Sequence, residues 1–155
     1  ATQPCGYQPF FSVIHFDFHL FEHVLDSDGK PIHDEDARFL YWRSRLRLDD
    51  VLRLEKGRLV FDGLSQGQRK RAAFLAAMLE NRPIIVLDEW ASDQDPEFRE
   101  FFYRVLLPEL KSEGKTVIVI SHDLQYFSEA DRLLVMSDGR LLEGNDIMVA
   151  VARSR

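Results

Sequence analysis

Two short apolar runs constrain the fold of this chain most strongly. Residues 84–87 read Ile-Ile-Val-Leu and residues 117–120 read Val-Ile-Val-Ile. Both runs are far shorter than the roughly 20 apolar residues that a membrane-spanning helix needs. Each is followed by polar residues, and a segment with helical spacing lies between them. Strands that alternate with helices predict an α/β fold with a mostly parallel sheet.

The rest of the chain divides into elements by the spacing of its apolar residues and by its turn signals. We predict strands at 11–16, 84–87 and 115–121, a short β-like segment at 58–61, a helical segment at 34–54, a helix from Ser65 to about Leu79, a helix from Pro96 that Pro108 kinks or splits, a short helix at 124–129, a hairpin of 132–136 with 140–143, and a final helix at 146–152. The segment of about residues 22–78 is thus predicted to be a helical subdomain, and residues 79–155 the α/β part of the same domain.

Net charge and cysteine content bear on the partners and the compartment of the chain. The formal net charge of −6 gives no electrostatic reason to expect nucleic acid as a partner, because phosphate backbones attract basic surfaces. The basic run Arg69-Lys70-Arg71 is predicted to be solvated charge on a helix. The single cysteine excludes an intrachain disulfide and favours a reducing compartment.

Acidic and imidazole side chains follow the two apolar runs. Asp88 and Glu89 come directly after the first run, where parallel strands of α/β proteins meet their ligands. Asp88 could bind a Mg²⁺ ion, and Glu89 could orient or deprotonate a water molecule. His122 follows the second run and could reach a phosphate or that water. Taken alone, each motif also has an ordinary interpretation, an acidic turn or a surface histidine.

The sequence Leu64-Ser65-Gln66-Gly67-Gln68 is a second candidate site. A serine N-cap followed two positions later by glycine leaves N–H groups open at a helix start, which suits an anion. Its ordinary interpretation is a capped helix after a loop.

The order and spacing of these motifs resemble the ATP-binding-cassette (ABC) ATPases over about residues 11–144. The matching elements are the signature at 64–68, Walker B at 84–89, the D-loop at 92–95, the switch histidine at His122 and the strand pair at 132–144. The resemblance implies a P-loop NTPase-like sheet with a helical signature subdomain, of which residues 1–155 are the C-terminal portion.

The resemblance also implies a role for each site residue in an ATP sandwich between two ATPase domains, with ATP and Mg²⁺ as cofactors. Glu89 would polarise the attacking water and His122 would contact the γ-phosphate, while Asp88 would hold Mg²⁺ through water. Five residues of the signature and the D-loop would bind the nucleotide held by the partner domain and contribute to the contact between the two domains. These residues are Ser65, Gln66, Gly67, Gln68 and Asp95.

Two elements of the family are absent from the sequence. No Gly-x-x-x-x-Gly-Lys-Ser/Thr loop occurs, and Gly114-Lys115-Thr116 is a decoy because it precedes a strand. Since the family's loop lies upstream and the chain starts with Ala1, the resemblance favours truncation. Phe16 takes the place of the usual glutamine before Leu20-Phe21, and Asp17 is a candidate substitute ligand towards Mg²⁺.

A narrower resemblance rests on residues 17–21, 65–71 and 88–98. Trp90 and Gln66 are the residues that distinguish it from the wider family. These segments resemble exporters of cyclic and siderophore-like peptides, in which membrane domain and ATPase are fused. The implied function is the motor of peptide export at the cytoplasmic face of the inner membrane, with a second ATPase domain, an upstream transmembrane domain and a peptide substrate as partners. The alternatives are a soluble ABC-type ATPase that clamps nucleic acid or protein, and a non-catalytic module that completes a partner's site in trans.

Overall fold

The computed structural model describes residues 10–20, 23–26, 28–137 and 139–143. These residues contain seven strands and four α-helices. Their bounds in chain order are β1 Phe11–Ile14, α1 Ala37–Arg45, β2 Leu52–Glu55, β3 Arg58–Phe61, α2 Gln66–Glu80, β4 Ile84–Asp88, α3 Pro96–Phe101, α4 Leu107–Ser112, β5 Thr116–Ile120, β6 Leu134–Ser137 and β7 Arg140–Glu143. The chain divides into two units, Ala1–His122 and Asp123–Arg155. The predicted subdomain of residues 22–78 lies within the first unit.

The central sheet has the order β1-β4-β5, and both of its pairings are parallel. Leu87 is the partner of Ile14 on one side and of Val119 on the other. The three strands therefore leave the sheet at the same edge, as the sequence predicts for an α/β fold.

The two faces of this sheet differ in exposure. Ile14, Ile85 and Leu87 point to one face and are buried. Side chains of the opposite face remain in contact with solvent, with 47 % of Ile118 and 51 % of Ile120 exposed. Parallel sheets are normally covered on both faces, so one face of this sheet lacks a packed layer among the described residues.

Helix α2 and an aromatic cluster form the core against the buried face. Ser65 caps α2 as predicted, since its side chain accepts a hydrogen bond from the Gln68 N–H. Phe74 of α2 is fully buried. Its ring centroid lies 5.1 Å from that of Trp90 and 6.1 Å from that of Trp42. The ring of Phe102 packs against Trp90 at 4.6 Å.

The prediction of a helical segment over residues 34–54 is wrong in its second half. Helix α1 occupies only Ala37–Arg45, and β2 then pairs with β3 in an antiparallel hairpin. Leu52 and Leu54 are buried while the residues after each of them are exposed, which is the alternation of a strand. Lys56 and Gly57 both have positive φ, as a two-residue hairpin turn of type I′ requires.

Pro108 divides the helix that starts at Pro96, as predicted. Residues 102–106 form a π-helical stretch between α3 and α4, and the Leu107 N–H donates to the carbonyl of Phe102. Proline lacks an N–H and crowds the preceding turn, and the wider π-turn accommodates both effects.

The second unit contains a 3₁₀ helix at Leu124–Glu129 and the antiparallel pair of β6 and β7. Both agree with the predicted short helix and hairpin. The predicted helix at 146–152 lies outside the described residues. No helix in the described part of the chain has the length and apolar character to span a membrane.

The position of Phe74 makes it a test of the core. We expect Phe74→Ala to lower the free energy of unfolding by about 3–5 kcal/mol, because the change removes a buried ring and leaves a cavity. Leu40→Ala is the control, since Leu40 is 42 % exposed on α1. Urea denaturation followed by circular dichroism measures both variants, and equal losses would contradict this description of the core.

Candidate active site

Glu89 and His122 meet at the edge where β4 and β5 end. The His122 Nδ1 atom lies 3.1 Å from one carboxylate oxygen of Glu89 and 3.0 Å from the other. The imidazole is 79 % exposed and the Glu89 side chain 27 %. The parallel pairing of the two strands produces this contact, since both residues follow their strands directly. Two groups that can exchange or orient a proton therefore face solvent together.

The backbone at Glu89 adopts an uncommon conformation. Its φ of 48° lies in the left-handed region, which a residue with a side chain seldom occupies. The Glu89 N–H still donates to the carbonyl of Ile120 at 3.0 Å, so the sheet ladder continues to this residue. The chain then turns into a 3₁₀ helix at Trp90–Asp93. Such strain persists only where surrounding contacts hold it, and it often marks functional sites.

Asp88 is the last residue of β4 and pairs with Ile120. Its side chain is partly exposed, at the same sheet edge as Glu89. Within the described ranges its carboxylate has no hydrogen-bond or ion-pair partner. Asp88 is thus available to a ligand at this edge.

The predicted signature residues lie at the start of α2. Ser65 and Gln68 form a capping box, in which the Ser65 N–H also donates to the Gln68 side-chain oxygen at 2.9 Å. Gln66 is exposed at the first position of the helix. The N–H groups of Gln66 and Gly67 have no preceding helical carbonyl, because an α-helix leaves its first N–H groups unpaired.

Gly67 packs directly against the turn that follows β4. A Cβ atom on Gly67 would lie 2.7 Å from the carbonyl oxygen of Asp93, closer than real Cβ contacts allow. The Gly67 carbonyl accepts a hydrogen bond from Gln94 Nε2 at 3.2 Å. Glycine is required here because the backbone of α2 touches the backbone of the predicted D-loop.

Asp95 is bound to its own chain on both sides. One carboxylate oxygen caps α3 by accepting from the Phe98 N–H at 2.9 Å, and the other accepts from Arg71 Nη2 at 2.7 Å. The Phe98 N–H, as the largest cause, holds the pKa of Asp95 below its usual range; burial opposes this shift and the Arg71 guanidinium adds to it. The Arg71 guanidinium also lies 3.7 Å from the Phe98 ring centroid.

The prediction that Arg69-Lys70-Arg71 is solvated charge is wrong for two of the three residues. Lys70 is fully buried and Arg71 is 9 % exposed, while Arg69 faces solvent. Lys70 and Phe74 are four residues apart, so helical periodicity places both on the core face of α2. That periodicity was the available signal for the burial of Lys70.

Two further predictions concern residues outside these contacts. Asp17 is exposed in a turn after β1, and no hydrogen bond or ion pair joins it to another described residue. Lys115 of the decoy triplet lies just before β5 and binds the end of α2, with its Nζ 2.6 Å from Asn81 Oδ1. That Lys115 does not bind phosphate stays a prediction.

The described residues fit a nucleotide only in part. They contain no group of three or more histidine, cysteine or acidic side chains that could hold a metal ion by themselves. Asp88 can supply one oxygen ligand, which suits Mg²⁺ that binds one or two carboxylates and otherwise phosphate and water. Asp88, Glu89 and His122 would therefore hold Mg²⁺ and ATP only together with further phosphate ligands.

Comparison with known proteins assigns the class. A family model described as "AAA domain, putative AbiEii toxin, Type IV TA system" matches residues 7–128, well over half of the chain. A solved structure, "Dimeric structure of a post-hydrolysis state of the ATP-binding cassette MJ0796 bound to ADP and Pi", superposes with a TM-score of 0.63 at 22% identity. The match covers 86% of this chain and 62% of that one. The chain belongs to this AAA-domain family and is an ABC ATPase-type domain with the P-loop NTPase fold.

Curated relatives carry names of ATP-dependent proteins. "ATP-binding protein SyrD" of Pseudomonas syringae pv. syringae is 45% identical over 152 residues, which are 96% of this chain and 26% of the relative. The "ATP-dependent lipid A-core flippase" of Methylobacillus flagellatus is 46% identical over 81 residues, 52% of this chain and 14% of the relative. The chain thus spans about a quarter or less of the length of these relatives.

Gly67→Ala tests the packing of α2 on the turn after β4. We expect a loss of about 1–3 kcal/mol in unfolding free energy, because the added methyl group meets a backbone carbonyl that cannot rotate away. Gln66→Ala, one residue earlier and exposed, is the control. A thermal denaturation series in which Gly67→Ala is as stable as Gln66→Ala would contradict the close approach.

Asp95→Asn tests the charge on the α3 cap. Since the pKa of Asp95 is lowered in the folded chain, its stabilisation is present above the ordinary pKa of 3.8 and is lost as the pH falls through the folded pKa. Asparagine retains the cap, so we expect a deficit of only about 0.5 kcal/mol at pH 7, typical of a half-exposed ion pair.

The deficit should begin to shrink as the pH falls below 3.8 and should vanish below the lower pKa of the folded chain, where the wild-type carboxylate is neutral. Melting temperatures at several pH values measure it, with Asp34→Asn as the control because Asp34 is exposed and bonds no described residue. A deficit that is independent of pH would exclude the charge as its cause.

Proposed function

We propose that this chain is part of the motor of a membrane exporter, and that it couples ATP binding and hydrolysis to transport. The observation that carries the proposal is the contact between Glu89 and His122 beside Asp88, at the carboxyl edge of a parallel sheet. Bound Mg²⁺-ATP would supply the phosphoryl group and the neutralising cation. Glu89 would orient or deprotonate water, and His122 would steady the Glu89 carboxylate and donate towards phosphate.

The start of α2 gives the chain a second functional surface. Ser65 and Gln66 are exposed and Gly67 is partly exposed at the positive end of the helix dipole, which attracts anions. We infer that this end binds the nucleotide held by a second ATPase domain, as the likeness to a dimeric cassette suggests. The Asp95 contacts with Arg71 and α3 would hold the predicted D-loop at that dimer surface.

The exporter assignment draws on the relatives and on the sequence motifs. Two relatives, an ATP-binding protein and an ATP-dependent flippase, are each much longer than this chain, and they support a transmembrane domain joined to the ATPase at the cytoplasmic face of the membrane. The motifs of residues 65–71 and 88–98 support a cyclic or siderophore-like peptide as cargo. A soluble ABC-type clamp would lack the membrane domain.

The trans-acting alternative would use the same surfaces of the chain in a different way. The sequence contains no phosphate-binding loop, and one face of the sheet is uncovered among the described residues, with Val13, Ile118 and Ile120 each over 40 % exposed. A module of this kind would offer Ser65 and Gly67 to a partner's nucleotide without hydrolysing its own. The uncovered sheet face equally suits a phosphate-binding half of the same domain.

Turnover measurements separate these possibilities. By itself, the 155-residue chain should neither bind ATP tightly nor hydrolyse it. In an active protein that contains this chain and a phosphate-binding loop, Glu89→Gln should lower turnover by at least about 100-fold, the usual contribution of a general base, while ATP binding and dimerisation persist.

Glu100→Gln is the matched control, because Glu100 is an exposed carboxylate on α3. Phosphate release and nucleotide binding are measured for each variant. Normal turnover in Glu89→Gln would remove Glu89 from the role of base. ATP hydrolysis by the isolated chain that Glu89→Gln abolishes would show that the site is complete without a further loop.

A further inference from the structure

Lys70 makes an unusual set of contacts for a lysine. Its ammonium group is fully buried and lies 2.6 Å from the carbonyl oxygen of Glu89, 3.1 Å from Ser92 Oγ and 2.6 Å from Asp93 Oδ2. The ammonium also lies 5.4 Å from the Phe16 ring centroid. Three oxygen atoms therefore match the three donors of the group.

The contact with the Glu89 carbonyl fixes a peptide group next to the candidate base. Ser92 Oγ donates to the same carbonyl at 2.7 Å, and the Glu89 N–H is held by Ile120. These bonds hold both peptide groups of a residue that has φ of 48°. With its backbone fixed on both sides, the side chain of Glu89 is directed to His122.

Stability alone does not account for a lysine at this position. Burying an ammonium group costs several kcal/mol, and a well-packed apolar side chain often replaces a buried ion pair without loss of stability. Asp93 is 30 % exposed and can be solvated without its partner. The feature that an apolar side chain could not reproduce is the bond to the Glu89 carbonyl.

We propose that Lys70 is a positioning residue, which holds the backbone of Glu89 so that its carboxylate faces His122 and the water that it acts on. The proposal rests on the proposed function, because it assigns to Lys70 an effect on ATP turnover. It also links the start of α2 to Glu89 within one chain, since Lys70 lies just over one turn after Ser65.

The test uses Lys70→Met in an active protein that contains this chain and a phosphate-binding loop. We expect kcat for ATP to fall about 10- to 100-fold, the effect of misplacing a catalytic group by about 1 Å, while KM and the melting temperature stay close to those of the wild type. Arg104→Met is the matched control, since Arg104 also lies 2.7 Å from a carboxylate, that of Glu100, but in an exposed pair.

Two further variants separate positioning from charge and from folding. Lys70→Met with Asp93→Asn removes both charges, and kcat should stay as low as in Lys70→Met. Recovery of kcat in this double variant would assign the loss to an unpaired Asp93 and overturn the proposal. Ser92→Ala removes the other donor to the Glu89 carbonyl and should lower kcat several-fold at constant KM, even if Lys70→Met does not fold.

Unchanged kcat in a folded Lys70→Met variant would also overturn the proposal, and so would losses of kcat in Lys70→Met and Ser92→Ala that only parallel the losses in melting temperature. Glu89→Gln in the same assay makes the two ideas distinguishable. If Glu89→Gln lowers turnover and Lys70→Met does not, only the proposed role of Lys70 is excluded. If turnover is normal in Glu89→Gln, the proposed function itself is excluded.

Discussion

An ammonium group taken fully out of water needs oxygen partners, and Lys70 has three of them in the turn that follows β4. Through these bonds the signature helix α2 is tied to Glu89 and to the segment up to Asp93. Arg71 extends the link one residue further along α2, to Gln94 and Asp95. The positions of the candidate catalytic edge and of the helix start therefore depend on one polar network.

The aromatic core beneath this network explains why it can be buried. Trp90 lies between Phe74 and Phe102, and its indole N–H donates to the carbonyl of Lys70 at 2.8 Å. The tryptophan thus fills the core and satisfies a backbone acceptor at the same place. Because the rings exclude water, the hydrogen bonds of Lys70 and Arg71 act in a medium where they are strong and where a missing partner is costly.

Several features of the fold and site could be predicted from local sequence. The apolar runs before Asp88 and Ser121 predicted two parallel strands, and Ser65 with Gln68 predicted the capped start of a helix. Both predictions are confirmed, because both signals act within a few residues. The short strand at 58–61 was also predicted, but its hairpin partner at 52–55 was missed. The leucines around Leu46 to Leu52 fit a helical period, and only the alternation at Leu52 and Leu54 and the Lys-Gly turn show the strands.

The sequence by itself determined the candidate site residues and the end of each element at which they lie. It also placed the chain among the ABC ATPases by the order of its motifs. Only the tertiary structure decided that Lys70 is buried and that Asp95 binds Arg71. It also decided that Glu89 turns towards His122 in a left-handed conformation. The physical reason is distance along the chain: these partners are tens of residues apart, so their contacts arise from the packing of α2 and from the pairing of β4 with β5.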